Sequence, residues 1–202
     1  MNLRKYFIMG SQNCNRRDPA DILNEAANAG ITAFQFREKG KGSLSGQDKR
    51  KLGYKLRDIC TRHHVLFFVN DDIELAEALD ADGVHVGQDD MPLEKLREIF
   101  PDKIIGLSVS KQNEADNSPI QLADYLGAGP VFATSTKDDA KQAVSPDWIT
   151  TLKRHYPGMP IVGIGGITDR NAATVMNAGA DGVAVISAIT KADDIKAAVE
   201  NL

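Results

Sequence analysis

The 202-residue chain carries 24 Lys and Arg against 28 Asp and Glu, a net charge of −4, and 42% of its residues are hydrophobic. That balance fits one globular domain over residues 1–202 and argues against nucleic acid as a main partner, so any cationic site must be local. The apolar run in "MNLRKYFIMG" is too short for a signal peptide and no segment approaches a membrane span, which leaves a cytoplasmic protein as the expectation.

The first apolar run, 6–9, reads as a strand. A helical pattern over 19–29 follows, opened by Asp18 before Pro19 and closed at Gly30. The next run, "AFQFREK", predicts a strand over 33–37. Phe34 and Phe36 share one parity, whereas Gln35, Arg37 and Lys39 share the other, so the two sets point to opposite faces. A strand fed by a helix usually belongs to a parallel sheet covered on both faces. An amide, a guanidinium and an ammonium on one such face need an anion, unless the run is not a strand.

Behind Ser45 comes a helix over 47–63, then a strand over 66–70 ending in "VNDD", and a helix over 72–79 with Asp72 as its cap. A strand over 83–86 leads to "VGQDD", followed by a helix over 93–100 and a strand over 104–108. A weaker helix over 113–122 precedes a strand over 125–128. The last elements are a helix over 147–155 after Ser145-Pro146, a strand over 161–164 ending in "GIGGIT", a helix over 171–178 capped by Asp169, a strand over 182–186 and a helix over 193–201.

Eight strands alternating with helices predict an α/β fold of the compact (β/α)8 TIM-barrel type. "ALDADGVHVG", "LADYLGAG" and "AGADGVAVI" repeat an Ala-Asp lead into a strand, as though one helix-to-strand joint were reused. A doubly wound sheet is the rival. It wants a G-x-G-x-x-G loop after the first strand, and "MGSQNCNRRDP" does not supply one.

In a barrel, chemistry collects at the carboxyl ends of the strands. Asp71 and Asp90 lie at two such tips. Two carboxylates without His or Cys suit a hard ion such as Mg2+, which uses one or two protein carboxylates plus substrate phosphates. The plainer alternative is a pair of solvated loop acids. Arg37, Lys39 and Lys137, at the tips of the second and sixth strands, would make, with a metal, a grip for a diphosphate. Solvated loop lysines are the alternative for Lys39 and Lys137, whereas Arg37 on an interior face is harder to dismiss. Gly165 and Gly166 in "GIGGIT", with "ISAI" after the last strand, predict a second anion site built from backbone N–H groups.

Cys14 and Cys60 read as reduced thiols, and His63, His64 and His155 as helix-end residues. His85 reads as a hydrogen-bonded barrel residue, so zinc is not expected. Two differently equipped anion sites at one mouth are the layout for joining two phosphorylated substrates, one of which expels diphosphate.

The blocks "YFIMGS", "QFREK", "VNDD", "GVHVGQDD", "GLSVS", "GPVFATSTK", "IVGIGGIT" and "ADGVAVISAI", in order over residues 6–189, resemble those of the thiamine-phosphate synthase family. The resemblance implies a barrel transferase that condenses 4-amino-2-methyl-5-hydroxymethylpyrimidine diphosphate with a thiazole phosphate, releasing thiamine phosphate and diphosphate. It sets the pyrimidine diphosphate against Gln35, Arg37, Lys39, Asn70, Ser108 and Lys137, and Mg2+ on Asp71 and Asp90. It sets the thiazole phosphate near Thr134, Ser135, Thr136, Gly166, Ile186 and Ser187. Two residues depart from the family's pattern: Ala133 stands where Pro is common, and Ser110 where His is common. A thiazole tautomerase-like barrel and a non-catalytic thiazole phosphate sensor are the alternatives. The first has no need of Arg37, Lys39, Asp71 and Asp90, and the second would be expected beside a DNA-binding or signalling segment. A homo-oligomer is neither required nor excluded.

Overall fold

The computed structural model describes residues 1–134, 136 and 142–202. Strands β1 Lys5–Met9, β2 Ala33–Phe36, β3 Leu66–Asn70, β4 Gly83–Val86, β5 Ile104–Val109, β6 Tyr125–Ala128, β7 Ile161–Ile164 and β8 Gly182–Val185 form a closed barrel in chain order. All pair in parallel, and β1 closes the ring on β8 through Tyr6 opposite Ala184.

Two-residue periodicity divides the apolar side chains between two cores. Phe7, Phe34 and Phe67 point outward and meet as tilted rings, 5.6 and 5.9 Å between successive centroids. Each is fully buried, and removing such a ring from water contributes roughly 1.5–3 kcal/mol. Tyr6, Ile8, Phe68, Tyr125 and Val162 point inward and fill the barrel. Gln35 lies on the inward parity, 1% exposed, as the alternation in "AFQFREK" predicts.

The helices α1 Pro19–Asn28, α2 Gly46–Arg62, α3 Ile73–Ala78, α4 Leu93–Ile99, α5 Gln112–Asp116, α6 Asp147–His155, α7 Ala172–Asn177, α8 Ser187–Thr190 and α9 Ile195–Glu200 connect or follow the strands. Asp18 caps α1 by accepting from the Ala20 N–H at 2.8 Å, and Asp72 caps α3 by accepting from Leu75 at 3.0 Å. Three expectations are corrected here. The helix over 113–122 is instead α5 and a separate 3-10 turn at Ile120–Leu122, because Pro119 interrupts the pattern. Asn171, not Asp169, stands at the cap of α7, and its Oδ1 accepts from the Thr168 N–H at 2.8 Å. Ser45 occupies the cap position of α2, but its side chain makes no capping bond.

The repeated Ala-Asp lead proves to be one device used three times at the amino-terminal rim. Asp82, before β4, accepts from the Phe67 N–H of β3 at 2.7 Å and pairs with Arg57 of α2 at 3.1 Å. Asp124, before β6, accepts from Ile105 of β5 at 2.8 Å and pairs with Arg97 of α4 at 2.8 Å. Asp181, before β8, accepts from Ile161 of β7 at 2.7 Å and pairs with Lys153 of α6 at 2.6 Å. Thr32, before β2, occupies the corresponding place, and its hydroxyl accepts from the Lys5 N–H of β1 at 3.1 Å. Every second joint is thus stitched to the strand before it.

Candidate active site

At the opposite rim, the exit of β2 is held by residues that the sequence pattern did not nominate. Arg37 follows the strand, and its N–H still donates to Met9 at 3.0 Å, so the ladder runs one bond past β2. Gln12 donates its amide to the carbonyls of Arg37 and Lys39, at 3.0 and 3.2 Å. Between them Glu38 points away and accepts from the Ser11 hydroxyl at 2.9 Å and the Leu44 N–H at 2.7 Å, with a further bond from the Ser11 N–H. Glu38 therefore ties the β1 and β2 loops together and fixes the backbone that carries the two cations. Its parity, opposite to that of Arg37 and Lys39, was the available signal.

Lys39 reaches across to the acids. Its ammonium pairs with Asp71 and lies 3.8 Å from Asp90 Oδ1, so the tips of β2, β3 and β4 converge. Asp71 follows Asn70 at the end of β3 with φ +59°, a left-handed conformation uncommon for a residue with a side chain, and its N–H donates to the His85 carbonyl of β4 at 3.0 Å. Asp90 accepts from the Gly87 N–H at 2.7 Å.

The two carboxyls respond differently to this setting. Asp71 is raised above the ordinary carboxylate range, chiefly by burial and further by its neighbour Asp90, against the pull of Lys39. Burial also acts on Asp90, but the Gly87 N–H, its hydrogen bond with Asp71 and the Lys39 ammonium act against it, and that carboxyl is held low. Lys39 is raised, mainly by its hydrogen bond to Asp71. The pair therefore holds one readily ionised and one reluctant acid under a single ammonium. Two oxygen donors already facing a cation fit a hard divalent ion that completes its shell with phosphate and water. Among the described residues no cluster of three or more His, Cys, Asp or Glu offers a full protein cage.

Arg37 is 8% exposed and lies close enough to Lys39 to act on its charge. Beside this group opens a cavity of about 170 Å3, lined by Ser108, Thr134, Thr136, Gly166, Ile186 and Ser187 among others. The Thr136 hydroxyl lies 3.3 Å from that of Thr134 and 3.4 Å from that of Ser187, so loops after β6 and β8 meet over it. Gly165 and Gly166 have φ of +98° and +63°. A Cβ on either would press on Pro130 or on the Ala133 carbonyl, at 2.4 and 2.7 Å, so glycine is required twice over. Ser110 also lines the cavity, and Ala133 is exposed beside it.

The structure thus brings Lys39, Asp71 and Asp90 into one cluster, with Arg37 and Asn70 at its edge. It brings Ser108, Thr134, Thr136, Gly166, Ile186 and Ser187 into one cavity. Gln35 lies deeper, inside the barrel, bonded to the Tyr6 hydroxyl at 3.0 Å. Ser135 and Lys137 lie outside the described residues. Cys14 and Cys60 are both buried free thiols. Among the described residues no helix is long and apolar enough to cross a membrane.

Charge and cavity gathered at the carboxyl ends of parallel strands define the class, a (β/α)8-barrel enzyme. Residues 5–189 match the family model described as thiamine monophosphate synthase. The thiamine-phosphate synthase of Oceanobacillus iheyensis is 58% identical over 99% of this chain and 97% of its own length. That of Geobacillus kaustophilus is 54% identical over 99% and 90%. Among solved structures, the thiamine phosphate pyrophosphorylase of Pyrococcus furiosus superposes with a TM-score of 0.87 at 36% identity, over 100% of this chain and 94% of that one. The chain belongs to the thiamine monophosphate synthase family, and with its relatives it is a transferase of thiamine biosynthesis.

Proposed function

We propose that the chain couples 4-amino-2-methyl-5-hydroxymethylpyrimidine diphosphate to 4-methyl-5-hydroxyethylthiazole phosphate, or its carboxylated form, giving thiamine phosphate and diphosphate. The observation that carries this reading is the meeting of Lys39 with both Asp71 and Asp90 at the same rim as a separate cavity lined by Gly166 and Ser187. One rim then offers a cation-rich place for a leaving diphosphate and a neutral, backbone-lined place for a monophosphate.

Asp71 and Asp90 would hold Mg2+, which when bound neutralises charge on the departing diphosphate. The chain's own contribution is fixed positive charge and position. Breaking the carbon–diphosphate bond moves negative charge onto the leaving group, so Arg37, Lys39 and Lys137 interact with it more strongly in the transition state than before it. The 4-amino group of the pyrimidine can donate electrons to the methylene carbon left behind, which favours a dissociative path. The cavity would hold the thiazole with its nitrogen toward that carbon, replacing an encounter in solution by a bound one.

A covalent route through the protein has little to recommend it. Burial pushes the Cys14 thiol up to about 12 and raises that of Cys60 as well, so neither is a ready nucleophile.

Incubation with both substrates and Mg2+, following diphosphate and thiamine phosphate together, tests the proposal. Release of both in equal amounts is expected. A thiazole tautomerase would isomerise the thiazole without releasing diphosphate, and a sensor would bind the thiazole phosphate without turnover; either result would replace this reading.

A further inference from the structure

Beneath the mouth, five side chains from five strands form one continuous line of hydrogen bonds. Gln35 Nε2 donates to the Tyr6 hydroxyl at 3.0 Å, and the hydroxyls of Tyr6 and Tyr125 are 2.8 Å apart. Tyr125 lies 2.9 Å from His85 Nδ1, and His85 Nε2 lies 2.8 Å from Ser108 Oγ. The line begins at one residue set against the pyrimidine and ends at another that lines the cavity.

Room for it is built into the neighbouring strands. A Cβ at Gly106 would fall 2.2 Å from Tyr125 Cζ and 2.5 Å from His85 Nδ1, and one at Gly127 would fall 3.0 Å from His85 Cε1. Both glycines have ordinary backbone conformations, so their want of a side chain serves the rings beside them rather than a turn.

We propose that Tyr6, Tyr125 and His85 are positioning residues that polarise this line in one direction, so that Ser108 presents its hydroxyl proton to the cavity while Gln35 is kept with its amide nitrogen turned away from it. The assignment follows from donor counting. Tyr6 accepts from Gln35, so its own proton goes to Tyr125; the Tyr125 proton then goes to His85 Nδ1. His85 carries its hydrogen on Nε2 and donates to Ser108, whose proton is left for an acceptor on the substrate. Burial raises both tyrosines, so each phenol keeps a proton to give. Reversal would require the Gln35 amide to turn over, the histidine to change tautomer and Ser108 to become an acceptor toward His85. The line is therefore set as a whole.

This inference rests on the synthase reading for what Ser108 faces, but not for the direction of the line. Nitrogen NMR of the folded protein decides the direction, because only four histidines have to be assigned. The expected result is a neutral His85 with hydrogen on Nε2; hydrogen on Nδ1, in the other tautomer or in a doubly protonated ring, overturns the proposal. Kinetics decide the role. Tyr125→Phe keeps the shape and should lower kcat for coupling by about ten-fold with little change in KM for the thiazole phosphate, as loss of one link in a buried network does. In a Ser108→Ala background the same substitution should change kcat by less than about two-fold, since a group acting through another is silent once that other is gone. Additive losses would overturn the proposal and leave Tyr125 a packing residue. If the parent protein shows no coupling, the synthase reading fails, whereas the tautomer measurement still decides the direction.

Discussion

The two rims of the barrel use the same ingredients to opposite ends. At the amino-terminal rim Asp82, Asp124 and Asp181 each pair with one cation and accept one strand N–H. At the carboxyl rim Asp71 and Asp90 share one ammonium, and Asp71 sits on a left-handed backbone. The first arrangement gives each charge its own partners, as a structural joint requires. The second, among the described residues, crowds two carboxyls around the Lys39 ammonium, an arrangement that gains most when further positive charge such as a divalent cation arrives. What separates a clasp from a site is therefore how partners are distributed.

The comparison is tested most severely by substitution at the carboxyl rim. Lys39→Ala or Asp71→Ala should reduce the coupling rate by on the order of 10²-fold or more while leaving the fold intact, measured in single-turnover assays with circular dichroism as the control. Near-normal rates in both would dissolve the distinction. At the other rim the expected effect is on stability alone. Asp82→Ala strands the Phe67 N–H and the Arg57 guanidinium and should cost about 1–3 kcal/mol in denaturant unfolding, with kcat unchanged. A loss of kcat there would show that the rims are coupled.

The smallest effect concerns pH. Asp71 is raised in the folded chain, so in metal-free protein its contribution to stability is present below the ordinary carboxylate range and is lost as pH rises through the raised value. Asp71→Asn should therefore gain on the parent as pH rises through that window, and the gap should close on acidification. Thermal melts across mildly acidic to neutral pH would show it. A pH-independent gap would mean that the raised value has no counterpart in the energetics.

Much of this was legible in the residues because the barrel imposes simple rules. Parity in "AFQFREK" placed Gln35 inside, and apart from the helix expected over 113–122 the strand and helix windows lie within a few residues of those observed. The repeated Ala-Asp lead was visible as a rhythm, but its purpose was not, since Arg57, Arg97 and Lys153 lie far from their acids in sequence. Asp71 and Asp90 could be nominated singly; only the closed strand order brings Lys39 between them. The Tyr6–Tyr125–His85 line escaped because Tyr6 and Tyr125 read as ordinary strand residues, and His85, though expected to be hydrogen-bonded, finds its partners on separate strands. Glu38 was hidden in plain view, inside a motif whose other residues drew attention to the opposite face.

The stitching at the amino-terminal rim also bears on how the ring comes apart. Thr32, Asp82, Asp124 and Asp181 each fasten an even-numbered strand to its odd-numbered predecessor, whereas the N–H groups of Leu66 and Ile104, at the next boundaries, are met by the carbonyls of Thr32 and Asp82, with a Lys103–Asp80 ion pair beside the second. At this rim a break between couples leaves these side-chain-to-strand bonds intact, whereas a break within one severs them. Thermal breathing should accordingly loosen whole two-strand staves, each leaving with the helix that joins its halves, rather than single strands.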